Sequence, residues 1–175
     1  MPVPASERIR FRPYVEADEE RFTALMTDTS VMKHVGDGPL TKKGADDLWN
    51  KLLFEFYPNG LTTIWALEAK EDGRYIGHGS IRPRPEHPDE WEIGYILEQE
   101  EWGRGFATEA ARALIAFGFE ELGLDTVFAT VDDENYASIR VLTKAGLAFR
   151  RYDHDEQGRY SVFAIDRDEP PSECE

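Results

Sequence analysis

One strand-loop-helix segment in the middle of the chain constrains the fold more than any other feature of the sequence. Residues 90–97 have the pattern of a strand and lead into a loop that contains Gly103 and Gly105. The loop opens directly into a helical pattern over residues 107–122, whose small and apolar side chains form one stripe. A short apolar run at residues 126–131 is typical of a central strand. This order predicts a βαβ unit whose two strands are parallel.

The rest of the chain surrounds this unit with strands and helices. Periodicity and turn signals predict further strands at residues 8–12, 62–69, 75–82, 147–152 and 160–166, and further helices at 17–26, 41–57 and 135–145. The order β-α-α-β-β-β-α-β-α-β-β predicts an α/β (α+β) fold, a mixed sheet of about seven strands with helices on both faces. One domain over residues 1–166 accounts for all of these elements. The acidic residues 167–175 are expected to form a mobile tail.

The net charge of the chain limits its partners. The 175 residues carry 35 acidic and 20 basic side chains, a net charge of −15. Non-specific binding to nucleic acid or anionic lipid needs basic patches, so the sequence argues against both kinds of partner. An amine substrate would be attracted by the same charge. Solubility alone also explains the charge, and the sequence leaves both interpretations open.

The sequence gives no indication of a membrane span, a disulfide or a metal site. No apolar run approaches the roughly 20 residues that cross a bilayer, and the first residues lack the pattern of a signal peptide. The single cysteine, Cys174, has no partner for an internal disulfide. The four histidines show no metal-ligand spacing, and His78 is expected to be packed rather than catalytic. We therefore expect a cytoplasmic protein without a metal.

Residues 102–108, called the glycine loop below, have the features of an anion site. Glycines at positions 103 and 105 allow positive φ and a close approach of a ligand to the backbone. The first N–H groups of the following helix have no partners inside the helix and carry the positive end of its dipole. The amides predicted to bind a pyrophosphate are those of Arg104, Gly105, Phe106, Ala107 and Thr108.

The glycine loop alone does not identify a ligand. By itself it also fits a tight connection between a strand and a helix. It is not a P-loop, because no Gly-Lys-Ser/Thr follows, and it lacks the third glycine of the dinucleotide fingerprint. A nucleotide-binding module with a different phosphate ligand is a further alternative.

In combination, several motifs resemble the GNAT acetyltransferase family. The hexapeptide at residues 102–107, Trp-Gly-Arg-Gly-Phe-Ala, is similar to that family's acyl-CoA signature, Gln/Arg-x-x-Gly-x-Gly/Ala, with Trp102 where Gln or Arg usually stands. The same departure is common in the branch that includes the ribosomal-protein N-terminal acetyltransferases. Three further stretches also resemble that branch: residues 8–13, the Glu-Ile-Gly-Tyr strand at 92–95, and the Asn-x-x-Ser of residues 135–138, followed by Lys-Ala-Gly-Leu. The resemblance covers about residues 8–166.

The resemblance implies acetyl-coenzyme A as co-substrate, held between two parallel strands that part from each other. Its pantetheine arm would pair with the backbone near Tyr95, its pyrophosphate would lie on the glycine loop, and Asn135 would reach the pantetheine or the acyl end. The implied cofactor-binding residues are Tyr95, Ile96, Leu97, Trp102, Gly103, Arg104, Gly105, Phe106, Ala107, Thr108, Asn135 and Ser138.

Two residues are candidates for the chemistry. Glu92 lies about ten residues before Trp102, close to the spacing of the strand glutamate that serves as base in several GNAT enzymes. It would take a proton from the acceptor through a water, unless it is only a solvated carboxylate on the outer side of the strand. Ser138 is the candidate acid toward the coenzyme A thiolate, because Leu142 stands where many members have a tyrosine. Asn135 and Ser138 also suit a helix cap, and the two roles are compatible.

These observations predict an N-acetyltransferase that moves an acetyl group from acetyl-CoA to a primary amine by direct transfer in a ternary complex. The acceptor is a protein N-terminus or a small amine, with an aminoglycoside or a polyamine as the nearest rival. The loop at residues 31–39, which contains Asp37, is expected to shape the acceptor site. A non-catalytic acyl-CoA binding or sensing domain is the alternative from another class. The oligomeric state stays open, with a homodimer as one form.

Overall fold

A mixed sheet of seven strands runs through the protein in the order β1-β2-β3-β4-β5-β7-β6. The computed structural model describes residues 2–61, 63–156 and 158–167. The strands are β1 Ile9–Arg12, β2 Ile64–Ala69, β3 Tyr75–Pro83, β4 Trp91–Leu97, β5 Thr126–Asp132, β6 Ala148–Asp155 and β7 Gly158–Asp166. Neighbouring strands are antiparallel except β4 and β5, which are parallel. The predicted sheet and its parallel pair are confirmed.

Five α-helices connect the strands of the described chain. They are α1 Glu19–Thr27, α2 Thr29–Met32, α3 Lys42–Lys51, α4 Phe106–Glu120 and α5 Tyr136–Ala145. Two predicted boundaries were wrong. The stretch assigned to a loop from residue 31 begins inside α2, because Asp28 caps that short helix by accepting from the Ser30 and Val31 N–H groups. The helix predicted over residues 41–57 leaves α-geometry at Leu52 and continues as a π-turn over Leu52–Phe56.

Each face of the sheet carries its own helices and its own core. Helices α4 and α5 cover one face, where Leu114 of α4 is fully buried against strand residues such as Ile81 and Val127. Gly118 permits this contact, because a Cβ there would lie 2.9 Å from both Ile81 and Val127 side chains. Helices α1, α2 and α3 cover the other face and bury a second core. The predicted arrangement with helices on both faces is therefore confirmed.

The chain leaves the sheet at Arg167, which is held in place. Its N–H donates to the Asp125 carbonyl at 2.9 Å, and its guanidinium donates to the Phe119 and Leu124 carbonyls. The rest of the predicted acidic tail, including Cys174, lies outside the described residues. Among the helices that the structure does describe, none combines the length and the apolar character that crossing a bilayer requires.

Candidate active site

The parallel strands β4 and β5 part from each other partway along their length. Glu92 and Phe128 are their one register pair. Beyond that point β4 stays paired with β3 as far as Leu97, whereas β5 stays paired with β7 as far as Asp132. In the space between residues 93–97 and residues 129–132, called the β4–β5 gap below, the two strands therefore do not pair with each other.

The register of β3 and β4 decides which backbone groups face this gap. The Glu98 N–H donates to the Ile76 carbonyl at 3.0 Å. Because bonded positions alternate along an antiparallel pair, the N–H and C=O of Ile96 are used by His78 of β3. The backbone groups of Tyr95 and Leu97 point the other way, toward the gap, although the Leu97 carbonyl already accepts from Trp102 Nε1 at 3.1 Å. Of the three predicted residues, Tyr95 and Leu97 thus offer main-chain groups and Ile96 does not.

The glycine loop lies at the end of β4 and forms the start of α4. Gly103 and Gly105 have φ of 73° and 84°, the left-handed conformation that glycine adopts without a Cβ penalty. Helix α4 begins at Phe106, one residue earlier than predicted, and its first turn closes where the Glu109 N–H donates to the Gly105 carbonyl at 3.1 Å. The amides that precede Glu109 have no acceptor inside the helix and carry its positive dipole end. These amides are the ones that the sequence predicted as anion donors.

The nearly buried carboxylate of Glu101, just before the glycine loop, binds the side chain of Arg104 in the loop. Glu101 is 5% exposed and accepts from Arg74 Nε at 2.8 Å and from Arg104 Nη1 at 2.7 Å. The hydrogen bond from Arg74 and the nearby positive charges lower the pKa of Glu101. The Arg104 side chain is therefore ion-paired with Glu101, and the part of Arg104 that is left for an anion is its backbone N–H.

Sequence reasoning missed one cation at the glycine loop, which is Arg8. Its Nη1 donates to the Arg104 carbonyl at 3.0 Å, and its guanidinium lies 4.6 Å from the Phe106 ring centroid. Glu109 holds it there through a 2.7 Å ion pair with Arg8 Nε. Beside it lies an open cleft of about 800 Å³ whose lining includes Arg112 and the Lys144 side of α5. The alternation around Arg8 predicted a strand, and nothing local indicated its partner across the fold.

The predicted acid and the predicted pantetheine contact lie together. Asn135 caps α5, as the alternative interpretation held, since its Oδ1 accepts from the Ser138 N–H at 3.1 Å. Ser138 Oγ lies 2.9 Å from the Tyr95 hydroxyl. Leu142, where many family members have a tyrosine, is 1% exposed and packs in the core. A tyrosine hydroxyl thus reaches Ser138 from β4 rather than from α5.

Glu92 lies at the point where the strands part, on the face of the sheet that carries α1, α2 and α3. Its strand neighbours Trp91 and Ile93 pack toward α4 on the opposite face. Its Oε2 accepts from Thr130 Oγ1 of β5 at 3.1 Å, and its side chain is half-buried. Glu92 therefore lies on the face of the sheet opposite to α4, the helix that the glycine loop begins.

The predicted acceptor loop contacts the end of β5 beside the β4–β5 gap. His34 Nδ1 lies 2.8 Å from Asp132 Oδ2 at the end of β5. The Glu134 N–H and His34 lower the pKa of Asp132, so that carboxylate stays charged. His78 is packed as expected: its Nδ1 is 3.1 Å from the Tyr14 hydroxyl, and burial lowers its pKa to about 3. Within residues 2–61, 63–156 and 158–167, no cluster of His, Cys, Asp and Glu has the arrangement of a metal site.

Comparisons with known proteins agree with this geometry. A family model described as an acetyltransferase (GNAT) domain matches residues 8–148. Protein YkkB of Bacillus subtilis (strain 168) is 32% identical over 151 residues, which are 83% of this chain and 85% of that protein. The FsC-acetyl coenzyme A-N(2)-transacetylase of Aspergillus fumigatus is 30% identical, over 89% of this chain and 73% of that protein.

Solved structures show the same fold. An acetyltransferase from Agrobacterium tumefaciens str. C58 is 26% identical, with a TM-score of 0.80 over 95% of both chains. The ribosomal-protein-S5-alanine acetyltransferase from Vibrio fischeri shares the fold at 17% identity, with a TM-score of 0.75 over 95% of this chain and 98% of that one. Because the family model spans most of the sequence, the chain belongs to the GNAT acetyltransferase family and is an acetyl-CoA-dependent acetyltransferase.

Proposed function

We propose that residues 1–166 form one domain that transfers the acetyl group of acetyl-CoA to the nitrogen of a primary amine. The observation that carries this proposal is the β4–β5 gap, which runs from unpaired backbone on β4 to the unpaired amides at the start of α4. An extended arm that ends in a pyrophosphate matches both parts of this surface. The strand backbone suits an amide-containing arm, and the helix start suits an anion.

The described residues fit coenzyme A without a cationic phosphate pocket. The amides of residues 104–108 would hold the pyrophosphate, and the Tyr95 and Leu97 backbone would pair with the pantetheine arm. Three further residues support these positions. Trp102 donates to the Leu97 carbonyl, and Gly103 has the positive φ that the turn requires. Asn135 caps α5. Arg8 places a guanidinium beside the loop, but its ion pair with Glu109 means that it adds no net charge there, in a chain whose net charge is −15. Bound there, acetyl-CoA supplies a thioester carbonyl to the acceptor side of the sheet.

We assign the base to Glu92 and the thiolate contact to Ser138. The acceptor arrives as an ammonium, and Glu92 takes one proton from it through a water. The free amine then attacks the thioester carbonyl directly, in a ternary complex. The two catalytic side chains lie on opposite faces of the sheet at the same gap, which suits an acceptor entering from one side and a leaving sulfur held on the other.

The acceptor surface is acidic where it meets the gap. Glu92 and Asp132 border it, and the loop that contains Asp37 is attached to it through His34. Carboxylates attract an ammonium and disfavour an anionic acceptor. The Aspergillus fumigatus relative is named for transfer to a nitrogen, which supports an amine acceptor here. A protein N-terminus and a small amine, an aminoglycoside or polyamine included, both meet this requirement.

Binding of acetyl-CoA is expected to raise the melting temperature. At a free concentration about 100 times its Kd, a ligand that binds only the folded state adds about 2.7 kcal/mol to the free energy of unfolding. Thermal scans with acetyl-CoA, ATP and NAD at equal concentration test this, followed by a thiol-release screen over amines and N-terminal peptides. A shift with ATP or NAD but not with acetyl-CoA contradicts the proposal. A shift with acetyl-CoA but no thiol release from any acceptor favours a sensing domain.

Replacement of Glu92 by glutamine is expected to lower kcat about 100-fold, since general-base catalysis contributes roughly 10²–10⁴-fold. The glutamine side chain still accepts from Thr130 but takes no proton. The acetyl-CoA Kd from calorimetry should therefore stay within about twofold of wild type, a change of less than about 0.5 kcal/mol in binding free energy. Glu120→Gln, on the exposed end of α4, is the matched control. Unchanged kcat in Glu92→Gln would leave water as the base and remove this assignment.

A further inference from the structure

The side chains of Tyr95 and Ser138 meet at the wall of the β4–β5 gap. Tyr95 Oη lies 2.9 Å from Ser138 Oγ, and both side chains are half-buried. The backbone of Ser138 is fixed independently, because its N–H donates to Asn135 Oδ1 in the first turn of α5. The position of the hydroxyl pair is therefore set by a strand on one side and by a capped helix on the other.

The surroundings of Tyr95 decide which hydroxyl is the donor. In the described part of the chain, Ser138 Oγ is the one hydrogen-bond partner of Tyr95 Oη, and the tyrosine packs against the apolar core under α4. A phenol is more acidic than an aliphatic alcohol, and the Tyr95 ring lies against apolar surroundings, so its hydroxyl is the better donor and the Ser138 hydroxyl the better acceptor. Burial also raises the pKa of Tyr95 to about 12, so the hydroxyl keeps its proton at neutral pH. The acidity of the two hydroxyls favours Tyr95 as the donor and Ser138 as the acceptor of this contact.

This arrangement leaves the Ser138 proton available. A serine or threonine inside a helix often donates back to a carbonyl one turn earlier. Thr143 of the same helix does so, to the Ile139 carbonyl at 2.9 Å. Ser138 makes no such bond to any of the residues that the structure describes, and its oxygen already accepts from Tyr95. Its O–H is therefore directed away from the helix and from the tyrosine.

We propose that Tyr95 is a positioning residue that, by donating to Ser138 Oγ, turns the Ser138 O–H toward the sulfur of coenzyme A. The inference rests on the proposed function and deepens it. When the carbon–sulfur bond breaks, its electron pair passes to sulfur, and the Ser138 O–H donates a hydrogen bond to the thiolate. Neither hydroxyl loses its proton. As the amide bond forms, the acceptor nitrogen sheds its second proton to water, and the thiolate takes up a proton from water to leave as the thiol of coenzyme A.

Tyr95→Phe tests this role, because it removes the hydroxyl and keeps the ring in the core. We expect kcat to fall about 10-fold and Ser138→Ala to lower it about 30-fold, as loss of one hydrogen bond to a charged group predicts. The double variant should match Ser138→Ala alone, because the tyrosine acts only through the serine. The KM for acetyl-CoA should not change. The acceptors tested are 1,3-diaminopropane, spermidine, paromomycin and a peptide that begins with alanine. Tyr152→Phe, at an exposed tyrosine of β6, is the control.

Three outcomes would overturn the inference. Effects of the two single variants that multiply in the double variant would show that Tyr95 acts without Ser138. A Tyr95→Phe protein with wild-type kcat, or one whose only change is a lower melting temperature, would show that the Tyr95–Ser138 contact stabilises the fold and does not assist catalysis. If wild-type protein releases thiol with none of the four acceptors, the proposed function fails and this inference fails with it. Wild-type turnover with an unaffected Tyr95→Phe protein removes this inference alone.

Discussion

Replacing Gly103 by aspartate is expected to weaken acetyl-CoA binding about 100-fold. Two unit charges about 6 Å apart in a medium of effective dielectric constant about 20 interact with about 3 kcal/mol, which is a factor of roughly 100 in Kd. The substitution places a carboxylate in the glycine loop beside the amides of α4, where the proposed pyrophosphate carries its charge. Aspartate tolerates the left-handed conformation that Gly103 adopts, and a Cβ there has nothing within 4 Å. The fold should therefore survive the change.

Gly123→Asp supplies a matched control for this experiment. Gly123 also has positive φ, at 68°, and open space around its Cβ, but it follows the far end of α4. Both variants should lose a similar, small amount of stability, about 1 kcal/mol. Only Gly103→Asp should lose affinity in calorimetry. Equal affinity of the two variants for acetyl-CoA would place the pyrophosphate elsewhere.

The elements that sequence reasoning predicted well are those defined by local chemistry. Glycines at positions 103 and 105 require positive φ wherever the chain lies, and the stripe of small residues after them fits a helix against a sheet. The apolar run at residues 126–131 correctly predicted a strand inside the sheet, although only one face of β5 is fully buried and Thr130 on the other face is exposed. These features depend on residues close together in the sequence.

The features that sequence reasoning missed join distant parts of the chain. Arg8 reaches the glycine loop across the fold, and its own strand pattern contains no sign of that contact. The Tyr95 hydroxyl finds Ser138 only because β4 and α5 border the same gap. The family resemblance implied that β4 and β5 part, but that they part directly after Glu92 could not be read from the residues of β4 alone. His34 was seen as one of several scattered histidines, although it holds Asp132.

The net charge of −15 repels a polyanionic co-substrate, so the protein must bind it through groups at the binding site itself. The structure combines main-chain amides, which carry no net charge, with one arginine whose position is fixed by Glu109. The side-chain charge of Arg104 is meanwhile neutralised by Glu101. Under the proposed function, the anion site depends on geometry more than on charge, and the acidic surface is left for the acceptor. This division would let one chain attract an amine and still bind phosphates.

The second large effect concerns stability and centres on Arg84, which follows β3 and is 1% exposed. Its guanidinium donates to Glu90, to the Tyr160 hydroxyl at 2.9 Å and to Asp153 at 3.2 Å. Burial works to raise the pKa of Glu90, but hydrogen bonds from Arg151 and Arg84 outweigh it and lower that pKa. The network therefore contains charged carboxylates, and it fastens the connection between β3 and β4 to the β6–β7 hairpin.

Arg84→Met is expected to lower the free energy of unfolding by about 3 kcal/mol, because Glu90 and Asp153 lose their one buried cationic partner and keep only the more exposed Arg151. In a domain of this size the melting temperature should fall by about 6–12 °C. Arg10→Met is the control, since Arg10 is exposed and its 3.6 Å pair with Glu68 should contribute less than about 1 kcal/mol. Adding Glu90→Gln to Arg84→Met should cost less than the two single changes together, because the carboxylate that lost its partner is then neutral. Denaturant titrations of the wild type and the four variants measure these differences. Additive losses, or an Arg84→Met protein as stable as wild type, would mean that the carboxylates reach solvent and that the network does not hold the hairpin.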